Sequence, residues 1–388
     1  MNQVWAVLLS LLVVPAMATS TAEAPPSLLE IHYINVGQGG STLIKTPNNK
    51  VILYDFGNYQ ASKDLIPYLS QPEVLGDRKQ IDYAILSHND RDHYVGYLGL
   101  IEEGYDVIVA NYSSGAKEDL RSLLNTQWIA PSKKTHAKRA TPIMVGDAIS
   151  LGFGAEMIVA AANGLVIGAS NTTPAKDKND ASISLLIRYG NFHYILDGDL
   201  GSGPEACTDH QTEQDTIQPL VAEALIQEGY LEPEYGVDLM HIAHHGSESS
   251  TSARYYRLMN PTVGIISVGI KNKQYRHPRE DVVERVLLEG QMTRSDCVND
   301  TPPLEYLFQT EDGSTESGES STGKTNNAGI SSGDIIVKTD GQEYFDIYGT
   351  NRVHQASTAE FPEGNFIRCF LDEVKIETGK YCTEIKNP

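Results

Sequence analysis

The sequence predicts an α/β fold, and three features predict it. Short apolar or alternating runs bounded by turn residues recur at 29–35, 41–45, 51–55, 83–86, 107–110, 183–188, 193–196, 238–243 and 263–268, as buried or half-buried strands do. Segments with helical spacing lie among them, at 95–103, 117–128, 219–227, 255–259 and 280–288. Clusters of histidine and aspartate follow directly on several of the strands, so one rim of a sheet would collect them.

From the N-terminus, Met1 to about Ala18 reads as a signal peptide. Val4 to Val14 is an apolar run of about eleven residues, long enough for an h-region and too short to span a bilayer. Ala16-Met17-Ala18 supplies a small-x-small cleavage site. The start carries no charged side chain, so the α-amino group alone makes the n-region positive. The signal peptide implies export, to the periplasm or the extracellular space, and since no later run approaches the length of a span, the mature chain is expected to lack one. The four cysteines, Cys207, Cys297, Cys369 and Cys382, permit two disulfides in an oxidising compartment. Cys369 and Cys382 flank a short charged segment and are the expected pair; Cys207 with Cys297 follows by elimination. The runs at 29–35, 41–45 and 51–55, joined through Gly37-Gln38-Gly39-Gly40 and Pro47-Asn48-Asn49, read as an antiparallel meander. Asp55 ends the third run, placed either to orient a metal ligand or to cap the turn.

The next run, Tyr83-Ala84-Ile85-Leu86, ends in Ser87-His88-Asn89-Asp90-Arg91-Asp92-His93. Two histidines and two aspartates fall within six residues. Imidazole and carboxylate are ligands for borderline and hard divalent cations. Buried together without a cation, the carboxylates would repel one another and suffer desolvation. A solvated polar loop accounts for the residue types but not for the order His-x-Asp-x-Asp-His.

That stretch resembles the His-x-His-x-Asp-His signature of the metallo-β-lactamase superfamily, with Asp90 at the second histidine. The variant is similar to the soluble hydrolase domain of ComEC/Rec2 competence proteins and their free-standing relatives. The resemblance implies an αββα sandwich of two mixed sheets with outer helices, without the membrane channel of those proteins. The hydrolase domain would run over 25–350, with a low-complexity insertion at 297–332 and a C-terminal extension at 351–388. Val36-Gly37-Gln38-Gly39 resembles the family's Asp-Val-Gly-Gln-Gly-Asp, with Asn35 and Gly40 at the aspartate positions. Tyr54-Asp55-Phe56-Gly57 resembles its Ile-Asp-Thr-Gly. Asp199, closing Asp197-Gly198-Asp199, maps to the aspartate that bridges two metals. Asn179 stands where the superfamily places a histidine, as it does in ComEC-like sequences, and is expected to make a polar contact. His244-His245-Gly246-Ser247 matches the group's His-His-Gly-Ser. The stretch ending in Tyr275-Arg276-His277-Pro278 resembles Asn-x-Tyr-Gly-His-Pro, with Arg276 for the glycine, and offers His277.

Two divalent cations, zinc or manganese, are therefore expected. One would take His88, Asp90 and Asp199, with His245; the other would take Asp92, His93, Asp199 and His277. A water bridging them, acidified toward neutrality, would be the nucleophile. Asp92 would thus be catalytic, and His244 or His245 would protonate the leaving group. Asn179 and Ser247 would contact substrate. The expected reaction is hydrolysis of a phosphodiester, small or polymeric. The alternatives are a nuclease on single-stranded DNA, a β-lactam or lactone hydrolase, and a non-catalytic metal-stabilised binding protein. A net charge of −21 disfavours tight nucleic-acid binding, which relies on cations releasing counterions from phosphates. The one dense basic run, Lys133 to Arg139, reads as a solvated loop in preference to a substrate-receiving patch.

Overall fold

A computed structural model describes residues 27–58, 62–116, 140–170, 172–203, 216–270, 275–287, 303–314, 325, 327–354, 358–371 and 381–386. The expected signal peptide, the helix expected at 117–128, the basic run Lys133 to Arg139, Cys207 and Cys297 lie outside the described residues.

The meander forms as expected: β1 (Leu29–Tyr33), β2 (Thr42–Lys45) and β3 (Val51–Tyr54) pair antiparallel. Strands β4 (Gln80–Ile85), β5 (Asp106–Ser113) and β6 (Thr141–Pro142) extend that sheet in parallel. The second sheet starts with the hairpin β7 (Ala148–Gly152) and β8 (Ala155–Ala162), which also pairs with β9 (Leu165–Val166). It continues antiparallel through β10 (Ser184–Tyr189) and β11 (Phe192–Leu196). It then turns parallel through β12 (Leu239–His241), β13 (Val263–Ile266), β14 (Tyr306–Gln309) and β15 (Ile330–Ser331). The chain returns to the first sheet with β16 (Ile335–Thr339), antiparallel to β1, followed outward by β17 (Tyr344–Gly349), β18 (Asn365–Phe370) and β19 (Cys382–Lys386).

Alternation along the strands sorts side chains into layers. Ile31, Ile52, Ile85, Met157, Val159, Leu185 and Leu196 meet in one cluster between the sheets. Their neighbours point outward. Leu43, Leu53 and Ala84 pack under the helices α1 (Ser62–Leu69) and α3 (Tyr97–Glu102), and between these the short α2 (Arg91–Tyr94) follows β4. Ile158, Leu186 and Ile195 pack under α4 (Ile217–Gln227), α5 (Ala253–Met259) and α6 (Glu280–Leu287). The result is the expected αββα sandwich. Burial of each such aliphatic side chain contributes about 1.5–3 kcal/mol.

Two expectations are corrected. The stretch 297–332 is not wholly an insertion, because Tyr306–Gln309 and Ile330–Ser331 are strands of the second sheet. Leu307 and Phe308 are buried there, which the polar composition around them conceals. The extension at 351–388 contributes β18 and β19 to the first sheet, and the expected Cys369–Cys382 disulfide joins residues directly opposite in that hairpin.

Strands β3 and β4 run parallel in one sheet and β11 to β13 in the other. The loops after β3, β4, β11 and β12 carry Asp55, the His88–His93 stretch, Asp199 and the pair His244-His245. A crevice beyond the carboxyl ends of parallel strands is where open α/β sheets bind ligands.

Candidate metal centre

Asp55 organises the first half of the centre. Its backbone N–H donates to the carbonyl of Ile85 at 2.9 Å, which aligns the ends of β3 and β4. Its carboxylate accepts three hydrogen bonds: Ser87 N–H to Oδ1 at 2.8 Å, Ser87 Oγ–H to Oδ2 at 2.7 Å, and His93 Nδ1–H to Oδ2 at 2.7 Å. The two roles left open for Asp55 are therefore combined, since it both caps the turn and orients a histidine. Ser87 spends its hydroxyl hydrogen on Asp55, so its oxygen is left to accept from His88 Nδ1 at 2.9 Å. Asp55 thus fixes His93 directly and His88 through Ser87. Each Nδ1 proton is held by that contact, and Nε2 is the nitrogen each ring would offer to a cation.

The Gly-Gln-Gly-Gly loop braces this arrangement. Gly40 N–H donates to Asp92 O at 3.2 Å. Gly39 has φ +140°, and a Cβ there would stand 2.3 Å from that same oxygen, which excludes a side chain.

The second half comes from the other sheet. His245 Nδ1 donates to the carbonyl of Ser267 at 2.6 Å, and His244 Nδ1 lies 2.9 Å from Ser249 Oγ. Both histidines adopt left-handed backbone, with φ 53° and 55°. This costs about 1–2 kcal/mol per residue and turns the two rings toward a common point. Asp199 is that point. Its Oδ2 lies 3.2 Å from His93 Nε2, 3.7 Å from the Nε2 of His244 and of His245, and 3.8 Å from His88 Nε2. Asp92 Oδ2 is 3.3 Å from His245 Nε2.

Charges follow the contacts. Burial opposes ionisation of Asp199, but His93, His245 and His244 outweigh it and hold the carboxyl well below the usual range. Burial likewise opposes a charge on His93, yet Asp199 and Asp55 raise it well above an ordinary imidazole. Burial, with His93 beside it, lowers His88. Burial, then His244 and His245, hold His277 well below.

The donor set fits a divalent cation. His88 Nε2, His93 Nε2, His245 Nε2 and Asp199 Oδ1 are buried and make no hydrogen bond among the described residues. One ligand atom each from His88, His93 and Asp199 lies within 4.8 Å of the others, and the same holds for Asp92, His93 and His245. An Nε2 has one lone pair, so His93 serves one cation only.

The structure brings together most of the residues expected from sequence but regroups them. His245 sits beside Asp92, where it was expected with His88 and Asp90. His93 sits with His88 and Asp199 and also, as expected, with Asp92, while His277 belongs to neither group. Asp90 falls outside both groups: its Oδ2 is 3.8 Å from His88 Nε2, while its Oδ1 meets Lys178 Nζ at 3.0 Å. His277 is buried against His244 and His245, with ring centroids 5.5 and 6.0 Å away. The side-chain oxygen of Asn179 is buried and makes no hydrogen bond among the described residues. Ser247, expected to contact substrate, is buried, and its Oγ lies 3.1 Å from Ser249 Oγ, behind His244. Sequence reasoning missed Ser87, Ser182 and Ser249; their one signal is adjacency to the histidine and Asn-Asp-Ala-Ser motifs. On the other flank of α2 a cavity of about 350 Å³ is lined by Val36, Gln38, Arg91, Val95 and Ile270 among others.

No family model matches the chain. Among curated proteins it is similar to ComE operon protein 3 of Bacillus subtilis, 24% identical over 302 residues, covering 72% of this chain and 33% of that protein. It is also similar to Recombination protein 2 of Haemophilus influenzae, 25% identical over 262 residues, covering 66% of this chain and 26% of that protein. The resemblance read from the motifs is borne out. The chain spans about a third or less of the length of these relatives. Similar solved structures include the metallo-β-lactamase fold protein YhfI from Bacillus subtilis, 14% identical, covering 62% of this chain and 85% of that one, TM-score 0.37. The diiron β-hydroxylase CmlA from Streptomyces venezuelae is 14% identical, covering 63% and 45%, TM-score 0.36. Among the described residues no helix is long and apolar enough to cross a membrane.

Proposed function

We propose that the chain is an exported metal-dependent hydrolase of phosphodiester bonds. The observation that supports it is the convergence of four imidazole Nε2 atoms on one buried carboxylate, Asp199. Two divalent cations, zinc or manganese, would supply Lewis acidity and a nucleophile at neutral pH. His88, His93 and Asp199 would hold one, and Asp92, His245 and Asp199 the other, with Asp90 and His277 at the margins of the set. His245 has both nitrogens committed, Nδ1 to Ser267 and Nε2 to the centre. His244, anchored by Ser249 and with its side chain 18% exposed, is left to move a proton at Nε2 toward the leaving group. Asn179 would meet the substrate. The Cys369–Cys382 bridge supports an oxidising destination.

A second reading is a nuclease on single-stranded DNA, favoured by the likeness to a protein named for recombination. The net charge of −21 weighs against it. The test is turnover of a bis-aryl phosphodiester, labelled single-stranded DNA and nitrocefin, each with Mn²⁺ or Zn²⁺. The diester should be turned over, and Asp92→Ala should abolish its turnover while the chain stays folded. Cleavage of DNA with a kcat/KM orders of magnitude above that for the diester at physiological salt would overturn the substrate assignment. Intact mass of secreted protein should show loss of about eighteen residues.

A further inference from the structure

Lys178 stands at the lip of the metal centre, one residue before Asn179. Its Nζ lies 3.0 Å from Asp90 Oδ1, and the other oxygen of Asp90 lies 3.8 Å from His88 Nε2. Asp90 therefore faces two ways, toward a buried ligand nitrogen and toward a solvated ammonium. The side chains of Lys178 and Asp90 are 64% and 36% exposed, while that of His88 is fully buried. The 3-10 turn Asn179–Ala181, which follows Lys178, is tied to the centre. Just beyond it, Ser182 Oγ lies 3.3 Å from His88 Nδ1 and accepts Asp199 N–H at 3.1 Å. The backbone under Lys178 is thus anchored, while its stem carries a compact charge through many rotamers.

Resting on the hydrolase reading, we propose that Lys178 and a divalent cation compete for Asp90. With a cation beside His88, Asp90 would turn to it, and the released ammonium would be free to meet a non-bridging oxygen of the anionic substrate. Three carboxylates gather here, and they are compensated differently. Asp199 and Asp92 have buried imidazoles as partners, whereas Asp90 has a side chain that can leave. The two cation positions would consequently fill unequally, and the one beside His88, which Asp90 borders and would join on loading, would be the weaker. The lysine then serves as an anion-binding group whose readiness depends on full loading.

The test strips the full-length protein with chelator and titrates it with Mn²⁺ by calorimetry, comparing wild type, Lys178→Met and Lys178→Arg. Wild type should resolve two unequal equivalents. Lys178→Met should tighten the weaker one by about two- to fivefold, the range set by an exposed ion pair, and leave the tighter one unchanged. That difference should shrink in high salt. In a second arm, fully loaded protein binds inorganic phosphate. Lys178→Met should weaken that binding severalfold, and Lys178→Arg should restore it. A change in one affinity alone, or in neither, overturns the proposal and leaves an ordinary surface ion pair. Failure of wild type to bind any Mn²⁺ or Zn²⁺ is a separate outcome that overturns the hydrolase reading together with it.

Discussion

Replacing Asp55 by asparagine should damage metal binding through two histidines at once. Asp55 is 1% exposed and uses both oxygens. Oδ2 accepts from His93 Nδ1 and Ser87 Oγ, each at 2.7 Å, and Oδ1 accepts from Ser87 N at 2.8 Å. An amide offers one acceptor and one donor group in the same space. If its oxygen stays on Ser87 N–H, its NH₂ faces His93, which must then present a lone pair at Nδ1. The proton moves to Nε2, pointing at Asp199 where a cation would bind. The Ser87 hydroxyl must also turn, which loosens His88. If the amide flips instead, the His93 bond survives but the NH₂ opposes Ser87 N–H, leaving a buried donor unsatisfied at a cost of about 1–3 kcal/mol. Loss of such an orienting partner lowers metal affinity by about 10- to 100-fold, or about 1.4–2.7 kcal/mol. Calorimetric titration with Zn²⁺ measures the affinity, thermal melts in chelator measure the stability, and imidazole ¹⁵N shifts report the His93 tautomer. Ser87→Ala removes only the relay to His88 and should lose less. Wild-type affinity in Asp55→Asn, with the His93 tautomer unchanged, would refute the reasoning.

Three further outcomes follow from contacts away from the candidate metal centre. Burial opposes ionisation of Glu30, but the His32 hydrogen bond together with Lys338 and Lys45 lowers its pKa from 4.5 to about 2. A depressed carboxyl pKa stabilises the fold above the unfolded value, and that stability is lost as pH falls from about 5 through about 2. Glu30→Gln should flatten this limb of the stability curve by about 1–3 kcal/mol, after discount for the half-exposed lysines, as read by urea unfolding at pH 3 and pH 6; equal curves would reject it. Opening the bridge between Cys369 and Cys382, which closes a separation of 13 residues, should cost about 2–4 kcal/mol. The loss should appear first as faster hydrogen exchange in β18 and β19 while β10 to β13 keep their protection. Tyr255→Phe removes the 2.5 Å hydrogen bond to Asp197, a fully buried carboxyl that also accepts from Ser184 and Gln218; denaturant midpoints should report a loss of about 1.5–3 kcal/mol.

The strands most legible in the sequence are those that bury both faces or alternate cleanly. Val51 to Tyr54 is buried throughout, and Tyr83 to Ile85 likewise. Strand β14 was concealed because its core residues Leu307 and Phe308 sit between polar stretches, and parallel pairing with β13 supplies the order that local pattern does not. Strand β18 was concealed because Arg368, in mid-strand, reads as a surface charge. In the sheet it forms a bidentate pair with Asp346 at 2.7 Å and lies 3.5 Å over the ring of Tyr344. At the centre, many of the residues that gather around Asp199 were legible because the signature is contiguous and ends a strand. Their grouping was not, because His93 and His245 come from different sheets and their separation depends on how the two sheets pack.

The serines explain why the rest was illegible, and what they do bears on how such a centre is built. Four histidines supply Nε2 atoms to Asp199, and each is held at Nδ1 by a separate partner: Ser87 for His88, Asp55 for His93, Ser249 for His244 and the carbonyl of Ser267 for His245. Serine is common, and its position in sequence carries no mark of this task. The hydrogen bond from Ser87 to Asp55 exists only because β3 and β4 are neighbours, and that to His88 only because the loop bends back. The Nδ1 anchors aim each Nε2 at Asp199 before any cation arrives, so little orientational freedom remains to be lost on binding. The same anchoring collects buried charges that oppose one another, and the fold holds them against the packing of both sheets. A substitution at an anchor should therefore act on affinity more than on folding, whereas one at Leu185 or Ile52, in the layer between the sheets, should do the reverse.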